Sequence, residues 1–243
     1  MKKISKRILI VLGMIVGLII LLALGYGYKF YTEIKIMTPA ETSSVNDSVF
    51  CLKDKFVNAF VFRGKTGYLM VDAGIHEESV KAELKKLGIA PEQITAILLT
   101  HTDTDHTGAL ELFKKAKIYI HKDEEQMING KNGKFFFVRI HWKFGLYKLL
   151  SNNDFLMIDG ISVKVMHTPG HTPGSCCFLI NGDYLLAGDN VAYLNGKFQH
   201  FNNFFNMNTD EQEASLKHIP ELNTVKYVLT GHYGIIRRRN NSD

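Results

Sequence analysis

The sequence predicts an α/β fold preceded by one N-terminal membrane-spanning helix, and three observations support this prediction. Residues 8–25 form an uncharged apolar run. Downstream, short β-type runs alternate with amphipathic helical patterns, which is typical of α/β proteins. Polar clusters follow several of the predicted strands, at the place where open α/β sheets bind ligands. The chain has 243 residues, 46% of them hydrophobic and 11% aromatic, which is an ordinary globular composition.

The apolar run "ILIVLGMIVGLIILLALG" follows Lys2, Lys3, Lys6 and Arg7. At ~1.5 Å per residue it nearly spans the ~30 Å core of a bilayer. Basic residues before the run and aromatic residues after it place the N-terminus in the cytoplasm. We therefore predict a membrane anchor at residues 1–30, with the rest of the chain outside the cytoplasm. The alternative is a signal peptide, with secretion of the chain if it is cleaved.

The formal charge of +5 comes from the N-terminal segment. Five of the 29 basic residues lie within residues 1–30, which contain no acidic residue, so the rest of the chain balances at 24 basic and 24 acidic residues. Net charge therefore gives no support for a nucleic-acid partner. One local exception is the segment from Lys131 to Lys148, which is basic and contains no acidic residue.

A linker is expected at 31–48 and a single domain at 49–243. The first half of this domain predicts an antiparallel meander, then a helix, a buried strand, a second helix and another strand. The corresponding ranges are 49–52, 56–63 and 67–72 for the meander, 77–87, 94–100, a helix from Thr107, and 116–121. The aromatic and basic segment 130–153 interrupts this alternation, and it is either an ordinary packed helix or a lid over a cleft.

The second half predicts four strands and one helix with similar patterns. The strands lie near 161–166, 175–180, 184–187 and 225–230, and the helix near 209–218. Neighbouring cysteines on a strand, such as Cys176 and Cys177, point to opposite faces and are not expected to pair with each other. Free thiols are expected, with one bridge from Cys51 as the alternative.

Histidine and aspartate residues follow four of the predicted strands. The stretch "LTHTDTDHTG" at 99–108 is the densest of these clusters, and the other three follow the strands at 161–166, 184–187 and 225–230. The candidate ligands are His101, Asp103, Asp105, His106, His171, Asp189 and His232. Neighbouring strands bring their ends to one edge of a sheet, so these side chains are expected to converge. Nitrogen and oxygen donors of this kind bind a divalent ion that activates water.

The ordered motifs "VDAG", "THTDTDHTG", "TPGHTPGS", "AGD" and "TGH" resemble the metallo-β-lactamase superfamily over about residues 45–236. The resemblance implies an αββα sandwich, in which two mixed β-sheets pack face to face with helices outside. It also implies two divalent metal ions. It does not indicate the substrate.

Carried over residue by residue, the resemblance implies a site 1 formed by His101, Asp103 and His171. It implies a site 2 formed by Asp105, His106 and His232, with Asp189 bridging the two ions. Asp105 would also orient the nucleophile. Asp72 in "VDAG" is expected to lie beneath the site and to orient a ligand. Tyr193 could donate a hydrogen bond to a developing oxyanion. The other histidines match no motif position and are expected to be core or surface residues.

Asp103 departs from the family's commoner motif, which has a histidine at this position. A carboxylate has a shorter reach than an imidazole and adds a negative charge. Site 1 is therefore expected to hold its ion more weakly, through a water molecule, or closer to Asp103. Additional oxygen donors favour Mn²⁺ or Fe²⁺, although Zn²⁺ remains the default ion.

The functional hypothesis is a membrane-anchored, extracytoplasmic hydrolase with two metal ions, in which a metal-bound hydroxide attacks a small-molecule ester, lactone, thioester or amide. A nuclease or phosphodiesterase of the same fold is an alternative, suggested by Asp103 and the basic segment but opposed by the balanced charge. A non-catalytic metal-binding module is a third possibility. The sequence does not indicate an oligomeric state.

Overall fold

The computed structural model describes residues 6–134, 146–217, 219 and 224–238. The chain divides into two compact units, Met1–Met37 and Thr38–Asp243. The first unit contains one helix, α1 (Lys6–Lys35), and the second contains all the described strands and the remaining helices.

Helix α1 is long and apolar enough to cross a membrane. Its 30 residues correspond to about 45 Å, and its most apolar window has a mean hydropathy of 3.1 with no buried side chain. A signal sequence near the N-terminus has the same length and composition. The helix continues to Lys35, past the predicted anchor boundary at residue 30, because residues 28–37 contain neither glycine nor proline. The predicted linker at 31–48 therefore begins inside this helix.

The second unit contains two large sheets and a separate hairpin. Its strands are β1 (Ser43–Ser44), β2 (Val49–Asp54), β3 (Val57–Arg63), β4 (Tyr68–Val71), β5 (Ile94–Leu98), β6 (Lys117–His121), β7 (Tyr147–Leu150), β8 (Phe155–Ile158), β9 (Ile161–His167), β10 (Cys176–Ile180), β11 (Tyr184–Gly188), β12 (Val191–Leu194), β13 (Lys197–His200), β14 (Tyr227–Thr230) and β15 (Ile235–Arg237). Its helices are α2 (Glu77–Lys86), α3 (Thr104–Thr107), α4 (Glu125–Ile128) and α5 (Thr209–Lys217), with 3-10 turns at Pro91–Gln93, Leu110–Phe113 and Lys122–Glu124.

Both large sheets are mixed. The first has the order β1-β2-β3-β4-β5-β6-β7, antiparallel from β1 to β4 and parallel from β4 to β7. The second has the order β15-β14-β11-β10-β9-β8, in which only β11 and β14 run parallel. Strands β12 and β13 form the separate hairpin. The expected antiparallel meander is the β2-β3-β4 part of the first sheet.

The core lies in three layers, as the alternation of side chains along the strands requires. Phe60 and Phe62 of β3 join the cluster between the two sheets, whereas Val61 faces the cluster shared with α2. Cys176 and Cys177 likewise point into different clusters, and all three cysteines are buried free thiols. Leu216 of α5 packs on the outer face of the second sheet. The αββα sandwich is therefore confirmed.

Two predicted elements differ in the structure. The helix expected from Thr107 is divided into α3 and the 3-10 turn at Leu110–Phe113. Gly108 lies between them so close to the backbone that a Cβ atom would come within 2.0 Å of the Ile75 carbonyl oxygen. The Gly108 backbone N–H donates to the Gly74 carbonyl at 2.8 Å and not to a carbonyl of the preceding helical turn, so the helical hydrogen-bond pattern is interrupted here. Residues 135–145 of the proposed lid at 130–153 lie outside the described residues, and Tyr147–Leu150 is an edge strand parallel to β6.

Candidate metal centre

The structure brings all seven predicted ligands together at one end of the sandwich. The loop after β5 carries four of them, and the loops after β9, β11 and β14 carry His171, Asp189 and His232. The Asp189 carboxylate lies at the middle of the cluster. Its Oδ2 is 3.4 Å from His171 Nε2 and 3.2 Å from His232 Nε2, and its Oδ1 is 3.2 Å from His106 Nε2. This position fits the predicted bridging role.

Site 2 is compact. Asp105 Oδ2 lies 3.3 Å from His232 Nε2 and 3.8 Å from His106 Nε2. In site 1, Asp103 Oδ2 lies 3.1 Å from His171 Nε2 and 3.5 Å from His101 Nε2. Each group therefore offers two imidazole nitrogens and one carboxylate oxygen, with Asp189 between the groups.

Each of the four imidazoles uses its Nδ1 for a contact outside the cluster and turns its Nε2 inward. His106 Nδ1 lies 2.9 Å from Asp72 Oδ2 and His232 Nδ1 lies 2.7 Å from the Phe56 carbonyl oxygen. The partners of the other two are Thr100 Oγ1, 3.1 Å from His101 Nδ1, and Asn206 Oδ1, 3.1 Å from His171 Nδ1. With the proton on Nδ1, every Nε2 lone pair points toward the centre, which is the orientation of metal-binding histidines.

Asp72 lies beneath the site, as expected. Its Oδ1 accepts a hydrogen bond from the Thr100 backbone N–H, and its Oδ2 accepts one from the Thr100 hydroxyl, both at 2.8 Å. Oδ2 is also the acceptor for His106 Nδ1. The Thr100 hydroxyl gives its proton to Asp72, so its oxygen can accept the His101 Nδ1 proton. One carboxylate thus orients two candidate ligands, one directly and one through Thr100.

The pKa values reflect the packing of charge in this centre. Burial lowers the pKa of His232, but Asp189 and Asp105 outweigh burial and raise it to about 9. The pKa of His171 is instead lowered to about 4, by burial and by the charge of Lys134. Burial raises the pKa of Asp189, yet His232 and His106 hold it well below its usual value. The carboxylate is therefore ionised and available to a cation.

Three buried polar atoms of the centre have no hydrogen-bond partner among the described residues: His101 Nε2, His106 Nε2 and Asp189 Oδ1. A buried polar atom without a partner is costly. All three atoms point into the same cluster, where a divalent ion would satisfy them. The donor set at site 2 and Asp189 therefore fits a metal ion such as Zn²⁺.

Lys134 occupies part of site 1, a feature that the sequence analysis did not predict. Its ammonium contacts Asp103 Oδ2 and lies 2.8 Å from His171 Nε2. Burial raises the pKa of Asp103, but Lys134, His101 and His171 hold it well below its usual value. Two of the three site 1 donors are therefore engaged by a side chain of the protein itself. The sequence shows that the segment from Lys131 to Lys148 is basic, but it does not show that the Lys134 side chain points into site 1.

A second residue that sequence reasoning missed is Glu124, which is 1% exposed. Its carboxylate accepts two hydrogen bonds from Thr102, at 2.7 and 2.9 Å, and two from the turn at 172–174, at 2.8 and 3.0 Å. These bonds join the loop that carries His101 to the loop that carries His171. Glu124 therefore fixes the distance between two site 1 ligands.

A third network reaches the centre from α5. Gln212 donates a hydrogen bond to the Asp189 backbone carbonyl at 2.9 Å and accepts one from Asn206 at 2.7 Å. Asn206 in turn contacts His171 Nδ1. Gly231 adds a close approach from the opposite side, because a Cβ atom there would lie 2.5 Å from Asp189 Oδ1. These contacts determine where the central carboxylate lies.

Tyr193 lies on β12 and packs against Phe198, with 5.0 Å between the ring centroids. Among the contacts of the described residues, none joins its hydroxyl to the ligand cluster. Its role as an oxyanion donor stays a prediction.

A second histidine cluster lies apart from the centre. His121 and His167 stack with 4.0 Å between ring centroids and 12° between planes, and Asp123 Oδ2 lies 3.6 Å from His121 Nδ1. The three residues lie close enough to share an ion. However, nearly parallel rings direct their in-plane lone pairs side by side, so the two imidazoles do not converge on one point. A structural role for this pair is the better interpretation.

We expect His121 to make the fold sensitive to acid. Burial and the neighbouring His167 lower its pKa to about 4, from its usual value of about 6.5. The neutral ring therefore stabilises the fold fully above pH ~6.5, and this contribution is lost as the pH falls toward 4. Replacing His121 by phenylalanine should flatten the pH dependence of the unfolding midpoint in this window, measured on the full chain in detergent.

The matched control is the same substitution at the exposed His76. It should leave the slope unchanged. If the H121F slope equals that of the unsubstituted protein, the acid sensitivity does not arise from His121.

The sandwich and its ring of inward-facing imidazoles and carboxylates at the strand ends define a class of metal-dependent hydrolase. The chain belongs to the metallo-beta-lactamase superfamily, whose family model matches residues 52–232.

Relatives and solved structures agree with this assignment. A probable metallo-hydrolase of Methanocaldococcus jannaschii is 30% identical over 155 residues, covering 63% of this chain and 64% of that protein. An N-acyl homoserine lactonase from Bacillus sp is 25% identical over 211 residues, covering 74% of this chain and 82% of that protein. The Rm3 metallo-beta-lactamase structure superimposes with a TM-score of 0.63 at 17% identity, covering 80% of this chain and 79% of that one. The chain thus spans slightly less than two thirds of the first relative.

Proposed function

We propose that this protein is a membrane-anchored, extracytoplasmic hydrolase that cleaves a small-molecule ester, lactone, thioester or amide with the help of a divalent metal ion. The observation that carries the proposal is the orientation of the four imidazoles. Each is held through Nδ1 by a partner outside the cluster, and each presents Nε2 to a buried space that contains an ionised carboxylate.

When bound, a divalent ion lowers the pKa of water to about 7 and polarises the bond to be cleaved. The protein residues determine where this chemistry takes place. Asp105, His106 and His232 would hold the ion at site 2, with Asp189 as a further ligand on the side of site 1. Asp105 would also accept a hydrogen bond from the attacking water and so orient it. Asp72 keeps the proton of His106 on Nδ1, so that Nε2 remains a ligand.

Aromatic rings line part of the centre. Phe201 is 1% exposed, and its ring centroid lies 5.2 Å from that of His171 and 5.3 Å from that of His232. Phe56 stacks on the opposite side of His232 at 5.8 Å. Apolar walls strengthen the attraction between the ionised ligands and a cation because they lower the local dielectric constant.

The substrate class rests on the charge balance and on the relatives. The chain outside the N-terminal segment carries no net charge, which favours a substrate without many phosphates. Similarity to a lactonase over 74% of the chain supports an acyl-type substrate. The basic segment that suggested a nuclease lies largely outside the described residues, and no contact of the described part favours that alternative. Zn²⁺ is the default ion, and the carboxylates also suit Mn²⁺ or Fe²⁺.

The location rests on α1. Basic residues precede its apolar part and aromatic residues follow it, which supports an N-terminus in the cytoplasm and a hydrolase unit on the other side of the membrane. A retained helix gives a single-pass membrane protein, and a cleaved one a secreted protein.

The test is a substrate panel of lactones, esters, thioesters, amides and a phosphodiester, run on the detergent-solubilised full chain with Zn²⁺, Mn²⁺ and Fe²⁺ in parallel. We expect turnover of an acyl substrate that disappears with a chelator and returns with metal. H232A should remove this turnover, whereas the same substitution at the exposed His76 should not. Turnover that survives the chelator would contradict the proposal. Metal binding without hydrolysis of any substrate would identify a binding module, and cleavage of the phosphodiester alone would identify a phosphodiesterase.

A further inference from the structure

Lys134 is held in site 1 by the chain that precedes it. The turn after α4 is joined back to Gln126 through Asn132, whose backbone N–H donates to the Gln126 carbonyl at 2.8 Å and whose side-chain amide lies 3.2 Å from Gln126 Oε1. Gly130 takes a positive φ of 75° in this turn. The Lys134 side chain is only 9% exposed. The lysine therefore extends from a fixed turn into a buried site.

The ammonium uses the atoms that a metal ion in site 1 would need. It contacts Asp103 Oδ2, and its Nζ lies 2.8 Å from His171 Nε2, whose Nδ1 is directed to Asn206. A nitrogen lone pair that accepts a hydrogen bond from an ammonium is not available to a metal ion. An ion within the usual ~2.0–2.2 Å of both ligand atoms would also lie against the positive charge of Nζ. The site 1 donors can therefore bind either the Lys134 ammonium or a metal ion, but not both at once.

The pairing also explains the aspartate at position 103. A buried lysine needs an anionic partner, because an unpaired buried charge is very costly. Asp103 supplies that partner, whereas a histidine at the same position would not supply a negative charge. Asp103 and Lys134 are therefore matched to each other in charge and position. Site 2 has no such competitor among the described residues, and its buried atom His106 Nε2 is without a partner.

We infer that the Lys134 ammonium takes the place of the first metal ion, so that the centre holds one divalent ion, at site 2, and a lysine supplies the second positive charge. This inference rests on the proposed metal-dependent function and departs from the two-ion centre that the sequence motifs suggested. Asp103 then pairs with Lys134 and does not bind an ion.

The experiment measures the metal content of the full chain in detergent after saturation with Zn²⁺ and removal of the excess, by mass spectrometry, with Mn²⁺ in parallel. The unsubstituted protein should hold one ion per chain. K134M keeps the length of the side chain but removes the charge, frees Asp103 and His171, and should raise the content to two ions. K134R keeps the charge and should remain at one ion. Circular dichroism confirms that each variant is folded.

Two further variants show which site holds the single ion. They also keep the inference testable if K134M does not fold. D103N removes the site 1 carboxylate and should leave one ion, whereas H232A removes a site 2 ligand and should leave none. Mn²⁺ gives an independent readout, since two neighbouring ions couple magnetically and one does not. Only the K134M protein should show a coupled spectrum.

Several results would overturn the inference. Two ions in the unsubstituted protein would do so while leaving the proposed hydrolase intact. One ion in folded K134M would show that Lys134 does not exclude a second ion. An ion that is lost in D103N but kept in H232A would place it in site 1. No bound metal in the unsubstituted protein would overturn the proposed function itself.

Discussion

Replacing Asp189 by asparagine should nearly abolish metal binding. Its carboxylate lies within 3.4 Å of His106, His171 and His232, and one of its oxygens is buried without a partner. Substitution of residues that only orient ligands already costs about 10–100-fold in metal affinity, so loss of the central carboxylate should exceed about 100-fold. Calorimetric titration of the metal-free chain with Zn²⁺ measures the change. Hydrolysis should fall in parallel.

Asp183→Asn is the matched control, because it makes the same chemical change in an exposed ion pair with Lys226 on the same sheet. Exposed pairs contribute little, so its metal affinity and stability should change little. If D189N binds metal as tightly as the unsubstituted chain, Asp189 is not a ligand of the ion.

Replacing Asp72 by asparagine should lower metal affinity by about 10–100-fold without removing a ligand. Asp72 Oδ2 accepts hydrogen bonds from two donors, the Thr100 hydroxyl and His106 Nδ1. An amide nitrogen at this position cannot accept either bond, so His106 loses the partner that keeps its Nε2 lone pair directed inward. We expect lower stability as well, by about 1–3 kcal/mol for unmet buried donors. Calorimetry and thermal unfolding of the full chain measure the two effects.

Asparagine isolates the effect of the carboxylate because Asp72 has a φ of 58°, a left-handed conformation that asparagine tolerates. Alanine would add backbone strain of about 1–2 kcal/mol. Asp159→Asn is the control, since Asp159 also has a positive φ, of 50°, and also accepts three hydrogen bonds, from Thr66 and Gly67. It should leave metal affinity unchanged. Equal affinities for D72N and the unsubstituted chain would show that Asp72 does not orient His106.

With Lys134 paired to Asp103 as proposed, the D189N experiment reports both on metal binding at site 2 and on the stability of the metal-free protein. With one ion at site 2, D189N removes a ligand of that ion and also removes the negative charge that contacts His106 and His232. The stability of the metal-free D189N protein should therefore fall more than that of D183N.

The strand pattern and the residues of the candidate ligand cluster could be predicted from the sequence. The step from Cys176 to Cys177 predicted opposite faces of a strand, and the two thiols lie in different clusters. Local rules of this kind act within a few residues, so they can be read along the chain. The positions of the histidines after strand ends predicted that they converge on one edge of a single sheet. They do converge, but β5 belongs to the first sheet and β9, β11 and β14 to the second, so the packing of the two sheets also brings them together.

Long-range packing brings other side chains to the candidate ligands. Some of them hold the ligands in position, and Lys134 competes with a metal ion for two of them. Lys134 meets Asp103 and His171 across 31 and 37 residues of sequence, and Glu124 reaches Thr102 across 22. These contacts arise from loops and turns. Such segments have no repeating sequence pattern from which the contacts could be predicted. The helix expected from Thr107 is likewise interrupted by a long-range contact, since the Gly108 backbone N–H donates to the Gly74 carbonyl. Short-range patterns show which residues can bind an ion, whereas long-range packing decides which other charges reach the same place.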